Sequence, residues 1–93
     1  MRASQTFERP PAVVASVHDD GLVLFHTGIG RLFTANRTGA RIWQCLERNL
    51  PVDAIAAEIG RDYRIADGMA TEHTTRFLTE LQRQGLIAPG AKA

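Results

Sequence analysis

The chain has 93 residues, room for one hydrophobic core but not for a core plus a deep enclosed active site. Ten arginines and one lysine against ten acids leave a formal net charge of +1, too weak a global field to draw in nucleic acid or an anionic membrane surface. A single cysteine excludes an internal disulfide and fits a reducing compartment; with no signal-peptide core and no apolar run of membrane-span length, the reading is a soluble cytoplasmic protein.

In chain order, residues 1–11 are polar and end in Pro10 and Pro11, which cannot donate to a sheet ladder, so they read as a flexible N-terminal arm. Residues 12–17 alternate weakly, with Val13, Ala15 and Val17 on one side. His18, Asp19, Asp20 and Gly21 form a turn, residues 22–26 a more apolar strand, residues 27–30 a second turn and residues 31–35 a third strand. Three short strands on short turns make an antiparallel meander. A first helix follows, its apolar stripe running from Gly39 through Ile42, Trp43 and Leu46 to Leu50. Pro51 suits the opening position of a second helix, where Val52, Ile55, Ala56, Ile59 and Tyr63 share a face. A third helix starts near Asp67, turns Ala70, Thr74, Phe77, Leu78 and Leu81 inward, and stops at Gly85. Leu86 to Ala88 can fold back on the core, and residues 89–93 read as a disordered tail. The expectation is an α+β fold over residues 12–88, three antiparallel strands followed by three helices packed on one sheet face.

The stretch RLFTANRTGARIW at residues 31–43 organises the rest. Its first half alternates, Leu32 and Thr34 to one side and Arg31, Phe33 and Ala35 to the other, and its second half has helical spacing. Asn36 and Thr38 stand at the change of period, and both can accept hydrogen bonds from the first helical turn. A three-strand meander has two free edges. Prolines blunt the first; the third strand has none and offers a template. An extended peptide can add there, bound by main-chain bonds and sorted by pockets for its alternate side chains, with roughly four or five residues in register at about 3.3 Å each. Such an edge can also pair with its own copy, which allows a homodimer.

The runs GRLFTANRTGARIW, PVDAIAAEIGRDYRI and FLTELQRQGLI resemble the PqqD-like family, that of pyrroloquinoline quinone biosynthesis protein D, also called RiPP recognition elements. The resemblance covers residues 13–87 and is most specific in the strand ending at Asn36 with Thr38, Gly39, Ile42 and Trp43 after it. It implies a winged helix-turn-helix with no catalysis, no metal and no cofactor. Such a domain is a peptide chaperone that holds the leader of a ribosomally made precursor beside the third strand and against the third helix. The leader is presented to a modifying enzyme, such as a radical SAM enzyme, or to a leader peptidase. Carried over position by position, the leader site comprises Arg31, Leu32, Phe33, Thr34 and Ala35 with His73, Arg76, Phe77 and Glu80. Ala35 stands where the family often has leucine, and Ala66 where a capping acid is common, with Asp67 able to cap one residue later. Lacking an acidic, proline-rich strand segment, the chain looks more like the relatives serving lasso peptide maturation than those of the quinone pathway.

Plainer readings stand beside these. Trp43 and Phe77 serve as core, and Cys45 as a small buried hydrophobe rather than a nucleophile. His18, His26 and His73 lack zinc-ligand spacing. Arg37, Arg41 and Arg48 form either a solvated helix face or a dock for the modifying enzyme. The rival function is a winged-helix transcription regulator. Its recognition helix would be residues 67–84, where Asp67, Glu72 and Glu80 oppose Arg76 and Arg83, and its wing turn would carry Asp19 and Asp20, a poor match to DNA phosphates.

Overall fold

A computed structural model of the chain describes residues 1–90. Its elements are β1 (Phe7–Glu8), β2 (Val13–His18), β3 (Gly21–His26), β4 (Arg31–Asn36), α1 (Arg37–Glu47), α2 (Val52–Tyr63), α3 (Asp67–Arg83) and β5 (Ala88–Pro89). β2, β3 and β4 form the expected antiparallel meander in that order, and the helices follow it as a winged helix-turn-helix. Alternation sets the two sheet faces. Val13, Leu22 and Leu24 are buried with Ala15, Phe33 and Ala35 packed partly against them, while Val14, Phe25, Leu32 and Thr34 face away into solvent.

The core lies between that inner face and the helices. α1 buries Gly39, Ala40, Ile42, Trp43, Cys45 and Leu46; α2 buries Val52, Ile55, Ala56 and Ile59; α3 buries Ala70, Thr74, Leu78 and Leu81. Helices α1 and α3 end alike. Asn49 (φ 68°) and Gly85 (φ 77°) take left-handed conformations. The amides of Leu50 and Leu86 then reach back to the carbonyls of Cys45 and Leu81, at 3.3 and 2.9 Å. Both following leucines are thereby turned towards the core. Leu86 and Ile87 are buried, as the fold-back of that segment requires.

Four starts and ends differ from the sequence reading. Pro51 is the residue before α2 rather than its first helical position, and Asp67 sits inside the first turn of α3, favourable beside the helix N-terminus but not bonded as a cap. Residues 1–11 are not a flexible arm: Phe7 is only 3% exposed, and β1 pairs with β5. The physical reason is at α2, which has no side-chain cap. The carbonyls of Gln5 and Ala3 accept the Val52 and Asp53 amides at 3.0 and 2.9 Å, satisfying donors that a helix start leaves orphaned. The disordered tail expected from residue 89 is likewise corrected at its start. Pro89 belongs to β5 and the Gly90 amide donates to Thr6 at 2.8 Å, while residues 91–93 lie outside the described residues.

Candidate functional site

The direction of the backbone groups along β4 follows from the ladder. The Thr27 amide donates to Ala12 at 2.8 Å, so at the β3 end the lateral groups of Thr27 point to β2. Alternation then aims His26, Leu24 and Leu22 at β4, where they oppose Arg31, Phe33 and Ala35. The amides and carbonyls of Leu32 and Thr34 therefore face outward along an edge that no strand covers among the described residues. The strand ends where Asn36 caps α1, its Oδ1 accepting the Gly39 amide at 3.0 Å.

Side chains of β4 and α3 meet along one side of the molecule, and this seam, the groove, opens at one end into a cavity. At one end the Arg31 guanidinium donates to Gln84 Oε1, and Gln84 Nε2 donates to Glu80 at 2.7 Å. In the middle the Phe33 and Phe77 rings meet with centroids 6.3 Å apart and planes tilted by 58°. Gly39 makes this approach attainable, since a Cβ there would lie 2.7 Å from Ala35 Cβ and 2.9 Å from Phe77 Cε1. The small side chain of Ala35 and the missing Cβ of Gly39 together leave the notch into which Phe77 leans. At the far end a cavity of about 550 Å³ opens, floored by Ile42, Ile59, Tyr63, Ile65 and Phe77 and rimmed by Asn36, Thr38, His73, Arg76 and Glu80.

The anticipated residues thus divide three ways. His73, Arg76, Phe77 and Glu80 line the cavity, whereas Arg31, Phe33 and Ala35 do not; they lie on the inner face of β4, Arg31 bonded to Gln84 and Phe33 against Phe77. Leu32 and Thr34 offer their backbone to the edge and their side chains to the opposite face. Tyr63 and Ile65 line the cavity but lie outside the site residues that the sequence suggests. Ile65 reaches the cavity because Arg64 takes a left-handed conformation (φ 55°) and the Ile65 amide folds back onto Gly60 at 3.1 Å. A non-glycine residue adopting that conformation leaves no periodic trace in a sequence.

Charge around the groove is largely self-neutralised. Arg76 pairs with Glu72 at 2.7 Å and Arg83 with Glu80 at 2.6 Å, and the Arg83 and Gln84 hydrogen bonds hold the Glu80 carboxyl below its ordinary value, so it stays ionised. Both arginines of α3 are engaged within their own helix, the opposite of a helix that reaches for phosphates. On α1, Arg41 bonds Asp62 at 2.8 Å and Glu58 at 3.1 Å, and Arg48 meets Glu58 at 3.2 Å. Two of the three arginines of the anticipated basic face are thus ties to α2, while Arg37 is exposed and has no ion-pair partner among the described residues. The Cys45 thiol is fully buried, and burial, then the nearby Glu58 charge, push its pKa up. Among the described residues no cluster of histidine, cysteine and acid could hold a metal ion, and no helix is long and apolar enough to cross a membrane.

Residues 21–87 match the family described as coenzyme PQQ synthesis protein D (PqqD). The chain belongs to that family, the match running from β3 to the end of the core. Two solved structures share its fold. One is TbiB1 in complex with the TbiA(beta) leader peptide, 29% identical, with a TM-score of 0.80 over 86% of this chain and 93% of that one. The other is lasso peptide synthetase B1 complexed with the leader peptide, 24% identical, with a TM-score of 0.81 over 89% of this chain and 98% of that one. No curated protein sequence is significantly similar to the chain.

Proposed function

We propose that this protein is a non-catalytic peptide chaperone that binds the leader of a ribosomally made precursor as a strand added to β4. The observation carrying the reading is the open backbone edge at Leu32 and Thr34 running beside the contact between Phe33 and Phe77, with an apolar cavity where the strand ends. A backbone edge alone binds weakly and without choice; a groove alone does not select an extended chain. Together they make the two-part site that strand addition requires. The family membership and the leader peptide bound to TbiB1 support the same reading.

An unstructured leader loses about 2 to 5 kcal/mol in ordering, so apolar side chains seated on Phe33, Phe77 and the cavity floor must supply most of the affinity. Arg31, Ala35, His73, Arg76 and Glu80 shape and polarise the ends of that seat. Held there, the leader keeps the attached core segment at high effective concentration for a partner, a modifying enzyme or leader peptidase, with no chemistry by the chaperone itself. Lasso peptide maturation is the pathway favoured. The chain lacks the acidic, proline-rich strand segment of the quinone branch and shares its fold with lasso peptide synthetase B1. A second copy of the chain would use the same edge, so homodimer formation and leader binding exclude each other.

The test is fluorescence anisotropy with a labelled leader peptide, drawn from any short precursor that the open reading frames beside this gene encode. Phe33→Ala and Phe77→Ala each weaken binding by about tenfold, as loss of an aromatic seat and its buried area implies. Arg48→Ala, distant from the groove, leaves it within about twofold. Unchanged affinity in both aromatic variants removes the groove from the account.

A further inference from the structure

The outer face of the sheet, away from the groove, carries a row of apolar side chains that the fold leaves uncovered. Val14 is paired with Phe25, and Phe25 with Leu32, so the three stand side by side across β2, β3 and β4. They are 55, 38 and 62% exposed, and exposure is greatest at Leu32, on the open edge. The next row, Ser16, Val23 and Thr34, is more polar, and Ser16 is bonded to His18 at 2.8 Å beyond it. No charged side chain stands in either row.

Resting on the strand-addition reading, we infer that Leu32 is a specificity-determining residue that selects an apolar leader side chain on the face opposite the groove. The Leu32 amide and carbonyl point to the free edge, so a strand added there sets one residue directly opposite Leu32. Its side chain lies on the outer face, beside the Leu32 side chain and in line with Phe25 and Val14. The adjacent leader residue points the other way, into the groove over Phe33 and Phe77. The bound segment is therefore apolar at two neighbouring positions, one for each face. It does not follow the strict apolar and polar alternation expected of a peptide gripped by the groove alone. The fourth member completes the row and covers the most exposed of its three side chains.

A displayed library of random linear peptides, selected separately on the wild-type chain and on Leu32→Thr, tests this. Leu32 is exposed and threonine keeps the strand preference, and circular dichroism checks that the variant is folded. The wild type enriches peptides with two adjacent apolar residues, and Leu32→Thr enriches peptides in which only the inward one remains apolar. A wild-type-selected peptide binds Leu32→Thr about three- to fivefold more weakly, the upper range of a cross-strand pair. Replacing its outward residue by serine costs a similar factor on the wild type and little more on Leu32→Thr, the non-additivity expected of partners in contact. Enrichment of strictly alternating peptides that bind both proteins equally overturns the row and leaves the groove standing. Failure of the wild type to enrich any peptide overturns strand addition itself, and the row with it.

Discussion

Asn36 and Gly39 decide where the open strand stops and how near the third helix can come. The asparagine cap ends β4 at the mouth of the cavity, and the missing Cβ three residues on admits the Phe77 ring. Other side chains carry costs unrelated to binding. The hydroxyl of Thr74 and the indole nitrogen of Trp43 are buried with no hydrogen-bond partner among the described residues. An orphaned buried hydroxyl costs about 1 to 3 kcal/mol, and valine has nearly the same shape, so Thr74→Val raises stability by about 1 kcal/mol in urea denaturation. A loss of that size would mean that the hydroxyl is satisfied in solution. Cys45, buried and with its thiol pKa pushed up, reacts with a disulfide reagent only as fast as the native state opens. Its neutral form is favoured by folding, so its contribution to stability is full below the ordinary thiol pKa and fades as pH rises through and above it. Rapid labelling of the native protein at neutral pH would contradict this placement.

At the scale of elements, what the sequence made legible was local. The change of period at Asn36 marks the strand-to-helix junction, and glycine and apolar spacing mark where α3 ends and which faces of the helices turn inward. The terminal ribbon was not legible. Phe7 is an isolated apolar residue in a polar stretch, and its partners are at the other end of the chain, a pairing with no local pattern. For the same reason Arg37, Arg41 and Arg48 read as one basic face until the fold sets Glu58 and Asp62 against the latter two. The cavity floor draws on α2, the turn after it and α3, so Tyr63 and Ile65 could be assigned to it only once those elements were packed. The ribbon has a measurable consequence. Phe7→Ala lowers stability by about 3 kcal/mol, at the lower end for a buried phenylalanine because a terminal strand can relax around the loss. Chemical denaturation reads this as a lower midpoint with an unchanged slope, whereas a flexible arm predicts no change.

The whole molecule divides its labour between a closed side and an open one. Helices α1 and α2, tied by Arg41 and Arg48 and with the start of α2 capped by Gln5 and Ala3, back the sheet; β4 and α3 keep an edge and a cavity available. A chaperone of this kind needs no catalytic group, only a rigid edge in register with apolar seats on its sides. The central claim is that a leader adds as a strand along β4, and amide hydrogen exchange by NMR tests it residue by residue. In the free protein the Leu32 and Thr34 amides exchange fast while Phe33 and Ala35, directed to β3, are protected. Saturation with the leader slows Leu32 and Thr34 by an order of magnitude or more and leaves Phe33 and Ala35 protected as before. A leader that binds tightly while Leu32 and Thr34 go on exchanging at their free rates would contradict the account.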